Sequence, residues 1–331
     1  MNATLVGPRP VSVAGIDKEL ETIWKTLAPP TLDEAAPIMQ ASVVNFVALV
    51  EGDSAADSIT ELITQLVDRT PCRFLVLNSQ PEADPPALDA SVSVVCHRQV
   101  CCELIRLNAA GILADTLPAT AQAFYTPDLP IMLWWSAPLN RPDLFPFAAS
   151  VDRLVLDSLR YGHDDLVRVV ELVSESRRMR TAVSDLNWAR LTPYRQLFAQ
   201  FFDSPNCLNY LRAIETVSIE ATESAALLMS GWLLSRLNRP PHPITREQIH
   251  LNIVADDGPA FRSITMKSGA AEFALRRTNN ETVEASETID GETVSRVARV
   301  PVASLEKLLE DEIIRSGRDR AYDAAVTASI V

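Results

Sequence analysis

Val43-Val44-Asn45-Phe46-Val47-Ala48-Leu49-Val50 is an apolar run of one strand's length, and it reads as a strand buried on both faces, as in a parallel sheet covered by helices. The neighbouring residues support that reading. Ser54-Ala55-Ala56-Asp57 has the spacing of a capping box, and Ile59, Leu62, Ile63, Leu66 and Val67 fall on one helical stripe. The next apolar run is 73–77, and strand, helix, strand in that order predicts a right-handed parallel crossover. Toward the N-terminus, Ile16, Leu20, Ile23, Trp24 and Leu27 recur at helical spacing, and Pro29-Pro30 stops that helix. Residues 1–12, with Pro8 and Pro10, read as a loose tail. Toward the C-terminus, the runs 92–96 and 102–107 predict strands joined by a polar link at Arg98 and Gln99. Helices are expected near 114–124 and 145–151, and strands at 129–135 and 153–156. These elements make residues 13–182 a Rossmann-like α/β domain with a mixed or mainly parallel sheet.

Within that domain, Asp128-Leu129-Pro130-Ile131-Met132-Leu133-Trp134-Trp135-Ser136-Ala137-Pro138 is bounded by prolines, which sit at strand ends and not in central ladders. Adjacent tryptophans on a strand point to opposite faces, so Trp134 and Trp135 need cover on both sides. Either both fill a core, or one lies at the mouth of a cleft where strand ends carry function or a partner docks.

A helix starting near Asp164 or Asp165 carries Leu166, Val169, Val170 and Val173 and ends in Arg177, Arg178 and Arg180, where positive charge suits the helix dipole. Residues 183–331 form the second domain. It is expected to hold a helix over 191–202 starting near Thr192 or Pro193, a strand at 214–219, and a helix with Leu227, Leu228 and Trp232. After the turn Pro240-Pro241-His242-Pro243, the segments 250–255, 263–267, 272–276 and 283–286 read as an antiparallel meander with one wet face. Leu305, Leu308, Leu309 and Ile313 place a closing helix over the other face, making this an α+β domain.

The segment Asp185-Leu186-Asn187-Trp188-Ala189-Arg190-Leu191-Thr192-Pro193-Tyr194-Arg195-Gln196-Leu197-Phe198-Ala199-Gln200-Phe201-Phe202-Asp203 joins a polar lead-in to an aromatic-rich helix. With Cys101-Cys102-Glu103-Leu104-Ile105-Arg106-Leu107, Pro71-Cys72-Arg73, and the opening Ile16-Asp17-Lys18-Glu19-Leu20 through Ile23-Trp24, it resembles the OpcA family, the bacterial glucose-6-phosphate dehydrogenase assembly proteins. The resemblance runs from about Val13 onward, and the string from Asp185 to Pro193 is its most specific part. It implies a non-catalytic protein of the oxidative pentose phosphate pathway that binds glucose-6-phosphate dehydrogenase and favours its active oligomer. Cyanobacterial members are linked to thioredoxin, which the resemblance implies as a second partner, without assigning the regulatory cysteine.

Charge narrows the alternatives. The 331 residues carry a formal charge of −13, which argues against sequence-independent nucleic-acid binding and against attraction to an anionic membrane. No apolar run reaches bilayer length and no secretory signal is read, so a cytoplasmic location is expected. Five cysteines do not make a disulfide scaffold, and five thiols are the default. Cys96, His97, Cys101 and Cys102 put four candidate zinc ligands within seven positions, but Cys101 and Cys102 point to opposite faces of a strand, so no metal is expected. Cys96, Cys101 and Cys102 are the candidate redox residues. The four histidines, His97, His163, His242 and His250, offer no catalytic pairing. Ten glycines supply neither Gly-x-Gly-x-x-Gly nor Gly-Lys-Ser/Thr, so no cofactor is expected, and Gly-x-Ser-x-Gly is missing too. The candidate partner-binding residues are Trp134, Trp135, Trp188, Arg190, Tyr194 and Arg195, because arginine and aromatics supply directed bonds and rigid area. Interdomain packing is the competing role for Trp188 and Arg190. Two other functions stay open: a sugar-phosphate-binding enzyme or sensor with Arg190 and Arg195 as anion ligands, and a redox-regulated adaptor for another partner.

Overall fold

A computed structural model of the chain describes residues 4–27, 39–67, 69–237, 244–255 and 258–330. The expected stop at Pro29-Pro30 and the turn holding His242 lie outside the described residues. The chain divides into two compact units. The first takes the residues through Leu156 with Ser176–Ala182 and Leu309–Gly317, and the second takes Asp157–Glu175, Val183–Leu308 and the residues from Arg318 onward.

In chain order the elements up to Leu156 are β1 (Thr4–Val11), α1 (Ile16–Leu27), β2 (Met39–Gln40), β3 (Asn45–Glu51), α2 (Asp53–Leu66), β4 (Arg73–Gln80), β5 (Ala87–His97), β6 (Val100–Ala110), α3 (Leu117–Gln122), β7 (Ile131–Ser136), α4 (Leu144–Ala148) and β8 (Arg153–Leu156). The parallel strands lie in the order β6-β4-β3-β7-β8, which is third-second-first-fourth-fifth, the doubly wound sequence of a Rossmann sheet. Antiparallel β5 and β1 extend it beyond β6, and β2 lies parallel to β6. The opening run is buried as its composition demands from Val44 onward, with Phe46 through Val50 fully buried, whereas Val43 is exposed and precedes the strand. Asn45, its one polar member, is also buried and satisfied, since its amide donates to the carbonyls of Thr126 (3.0 Å) and Leu129 (3.2 Å) and accepts from the Thr126 N–H (2.8 Å). Those bonds fix the loop that leads into β7. Glu103 ties the far side of the sheet together, accepting from Arg73 (2.6 Å), the Trp24 indole (2.7 Å) and Gln40 (2.9 Å).

Two expectations fail in this unit. Residues 4–11 are an edge strand and not a loose tail; proline is tolerated at an edge, and the register shift between Val6 and Arg9 takes up Pro8. The capping box at Ser54 does not form. Gly52, at φ 90°, takes the cap position two residues earlier, α2 begins at Asp53, and Asp57 instead pairs with Arg106, as does Asp53.

The remaining elements are α5 (His163–Met179), β9 (Ala182–Asp185), α6 (Leu186–Ala199), α7 (Pro205–Leu208), β10 (Ile214–Ala221), α8 (Glu223–Leu237), β11 (Ile249–Ile253), β12 (Phe261–Ser268), β13 (Ala271–Arg277), β14 (Thr282–Ile289), β15 (Glu292–Arg299), α9 (Leu305–Ile314) and α10 (Arg320–Ile330). The second sheet has the order β11-β10-β12-β13-β14-β15. The meander from β12 to β15 is antiparallel as expected, but β11 is not its first member. It pairs parallel to β10, because α8 intervenes and a helical crossover returns the chain in the same direction. One face of this sheet is apolar, with Val217, Ile219, Ile264, Met266, Phe273 and Leu275 fully buried.

The closing helix is a further correction. From Leu309 onward α9 belongs to the first unit, where Glu310 pairs with Arg69 (3.1 Å) and buried Glu312 faces Arg153 (3.6 Å). In the second unit α10 packs on α8 so closely that a Cβ added to Gly231 would sit 2.0 Å from the Ala325 carbonyl oxygen. Among the described residues, no helix is long and apolar enough to cross a membrane.

Candidate functional site

The segment from Asp185 to Arg195 builds a buried polar centre in the second unit. Asp185 is the N-cap of α6: it accepts from the Asn187 N–H (2.9 Å), the Ser158 N–H (3.0 Å) and the Ser158 hydroxyl (2.6 Å), and the Tyr322 hydroxyl lies at 3.5 Å. Burial pushes its carboxyl up to about 6, although the hydrogen bonds from Ser158 and Asn187 pull the other way. The Asn187 amide donates to Ser224 Oγ (3.0 Å). The helix therefore starts at Leu186, five residues before the expected start, and runs through Pro193 without a break. Thr192 and Pro193 do not begin it, and the chain does not turn between Arg190 and Arg195. The cap at Asp185 supplies the start, and the polar lead-in was the signal for it.

Each candidate on this segment is engaged inside the unit. Trp188, 3% exposed, donates its indole N–H to Asp319 (2.9 Å) and packs against Tyr322. Arg195 lies 3.2 Å over the Trp188 ring and donates to the Trp188 carbonyl (2.9 Å) and to Thr192 (2.9 Å). Arg190 makes a two-pronged pair with Asp157, at 2.6 and 2.8 Å. The buried Tyr194 hydroxyl accepts from Arg277 (2.8 Å), and its ring lies 4.3 Å from Phe261. As an anion site the arginines are poorly placed: Asp157 already neutralises Arg190, and Arg195 is stacked.

In the first unit, Trp134 and Trp135 are both buried, at 4% and 1% exposure. Trp134 packs edge-on to Phe46. Trp135 lies under Arg141, 5.9 Å from ring to guanidinium, at the carboxyl edge of the sheet. Open α/β sheets bind ligands there, at the switch point, which here falls between β3 and β7. Arg141 fills that position. It donates to Glu51 (2.6 Å), Ser79 (2.9 Å) and both oxygens of Asp143 (2.9 and 2.8 Å). Burial works against its charge, and the carboxylates of Asp143 and Glu51 outweigh that and hold it on. The turn after β3 reads Glu51-Gly52-Asp53, placing two carboxylates where a dinucleotide pyrophosphate needs bare backbone N–H groups. These residues do not fit a nicotinamide dinucleotide. Sequence reasoning missed Glu51, Arg141 and Asp143; the acid directly after a buried strand was the visible signal.

The cysteines correct another expectation. Cys96 and Cys101 stand opposite each other across the β5–β6 hairpin and form a disulfide, with Cα atoms 4.1 Å apart, so the chain does not hold five thiols. A two-residue link, with Arg98 at φ 54°, brings them into register. The bridge takes two of the four donors weighed for zinc. Cys102 is a buried thiol pushed up to about 11 by burial, and burial raises Cys72 as well. Such thiols yield little thiolate.

Fold and site together define an α/β protein of two units whose Rossmann-order sheet carries, at its carboxyl edge, Arg141 ion-paired to Glu51 and Asp143. Family models described as the glucose-6-phosphate dehydrogenase subunit N-terminal and C-terminal domains match residues 63–172 and 181–326. A Synechocystis protein named as OxPP cycle protein OpcA is 26% identical over 322 residues, covering 84% of this chain and 65% of that relative. Its Nostoc punctiforme namesake is 33% identical over 193 residues, covering 54% of this chain and 40% of that one. The chain belongs to the OpcA family. It spans from about two-fifths to just under two-thirds of the length of the curated relatives it matches. Among solved structures, levoglucosan dehydrogenase with NADH and L-sorbose aligns at a TM-score of 0.42 and 9% identity, over 88% of this chain and 97% of that one.

Proposed function

We propose that this chain is a non-catalytic assembly protein that binds glucose-6-phosphate dehydrogenase and favours its active oligomer, acting in the cytoplasm. The observation that carries the reading is the pairing of family with crevice. The family models bear the dehydrogenase's name, while the position that would serve a nucleotide holds Arg141 locked between Glu51 and Asp143. A protein that binds the competent oligomer more tightly than its parts shifts the population toward it without chemistry of its own. Adding the purified chain should raise the activity of the dehydrogenase from the same source at subsaturating glucose 6-phosphate, with no turnover by the chain alone. An unchanged rate and no complex on size-exclusion chromatography would overturn it.

The Cys96–Cys101 bridge favours a second element of that reading, that activation is redox-dependent. Cys96 is partly exposed, so a dithiol reductant of the thioredoxin class can attack it, passing two electrons to the bridge and leaving two protein thiols and an oxidised reductant.

A further inference from the structure

β15 is the last strand of the second sheet, and among the described residues no strand pairs with its outer side. Every residue of it except Ala298 is exposed, and Val294 and Val297 are 63% and 69% exposed. Natural sheets blunt such edges with proline, bulges or charged side chains. The β1 edge of the other sheet obeys that rule, with Pro8, Pro10 and a register shift. β15 has neither proline nor bulge, and its charges are of both signs: Glu292-Thr293-Val294-Ser295-Arg296-Val297-Ala298-Arg299 pairs with β14 residue for residue over its whole length.

The ladder determines which backbone groups are available. The Val300 N–H bonds the Glu281 carbonyl at 2.6 Å. Bonded and non-bonded pairs alternate in an antiparallel ladder, so the N–H and C=O groups of Thr293, Ser295, Val297 and Arg299 point away from β14. A second copy approaching this edge antiparallel is related by a two-fold axis normal to the sheet. That symmetry requires one residue to face its own copy, because adjacent pairs in the ladder are never equivalent. With the axis at Val294, valine meets valine, Thr293 meets Ser295, and Glu292 meets Arg296. Among the registers centred within β15, this one alone sets opposite charges of the strand itself against each other. An axis at Arg296 would oppose two guanidinium groups.

We propose that β15 is a self-pairing edge through which two copies of this chain associate, with Val294 on the two-fold axis and Glu292 of each copy facing Arg296 of the other. The main-chain bonds supply the attraction, and the reciprocal charges set the register. In this register residues 292–296 of the two copies pair while 297–299 reach past the partner copy's Asp290-Gly291 turn, and so short an edge is smaller than the roughly 800 Å² per partner of a standard interface, so the dimer should dissociate on dilution.

Sedimentation velocity on the full chain over a dilution series tests this, with a concentration-dependent dimer expected. Ser295→Pro removes an outward N–H and no bond to β14, and should weaken the dimer about tenfold or more with unchanged circular dichroism and melting. Glu292→Arg or Arg296→Glu alone should also weaken it about tenfold, since each reversal acts twice by symmetry, and the two together should restore it. A chain that stays monomeric throughout overturns the proposal, including the case where the edge accepts another protein's strand. So does a double reversal that stays as weak as either single variant.

Discussion

Asp185 is a fully buried acid that caps a helix, holds Ser158 by both backbone and hydroxyl, and is lifted to about 6. That lift sets the sign of its effect on stability. The unfolded chain releases this proton near pH 4, whereas the folded chain keeps it to about pH 6. The contribution of this group is therefore fully present below the lower value and is lost as pH rises from about 4 to about 6. Asp185→Asn keeps the shape and an N-cap acceptor but cannot ionise. The stability difference between parent and variant, from urea midpoints across that range, should move against the parent as pH rises and level off above about pH 6. A difference that is flat from pH 4 to 7 would mean that the folded carboxyl ionises at its ordinary value. Arg190 acts within the same unit through Asp157, at 16% side-chain exposure. Arg190→Ala should lower unfolding stability by about 2 kcal/mol, because it leaves Asp157 without its two-pronged partner. An unaltered melting curve with weakened dehydrogenase binding would return Arg190 to the partner-binding surface.

At the scale of elements, the α8–α10 crossing is decided by a single hydrogen. Gly231 lets the helices approach so closely that an added Cβ would also lie 2.7 Å from the Ser329 nitrogen, and both contacts are with backbone that cannot swing aside. Gly231→Ala should cost about 3 kcal/mol or more despite alanine's better helix propensity, read as a fall in thermal midpoint. A gain in stability would mean that the two helices do not meet there. Nothing in the sequence announced this crossing, because α10 lies beyond the last stripe read as helix and a close approach is visible only in three dimensions. The parallel sheet was legible, since runs such as 43–50 can satisfy both faces only in a covered sheet. β15 was not, although Asp290-Gly291, at φ 51° and 87°, is a hairpin signal that would have revealed it. Its residues are exposed on both faces and carry no alternation. β11 misled for a different reason: an edge strand after a helix has the same local pattern as one after a turn, and only the intervening α8 sets its direction. Of the candidate site, the segment at 185–195 was legible as a cluster, but not as a buried one. Arginines look alike in sequence whether they face a partner or an internal carboxylate, as Arg190 does with Asp157.

For the whole molecule, the redox dependence proposed above turns on one hairpin. The Cys96–Cys101 bridge spans five positions, and in the chain-entropy view so short a loop contributes only about 2 kcal/mol. Removing it should therefore leave the chain folded, which a switch requires and a structural staple does not. The neighbouring Cys102 and Cys72 are buried thiols with raised values, so reduction should not trigger exchange with them. If activation depends on the bridge, the oxidised chain and the chain reduced by dithiol should activate glucose-6-phosphate dehydrogenase to different extents at subsaturating sugar phosphate, and reoxidation should reverse the change. Cys96→Ser and Cys101→Ser should each hold the protein at the reduced level under both conditions, while Cys102→Ser should respond like the parent. Thiol counting under denaturing conditions would confirm two more reactive thiols after reduction in the parent. Equal activation by both forms, with the serine variants unaltered, would leave the bridge as a clamp on one hairpin and place the control of activation elsewhere.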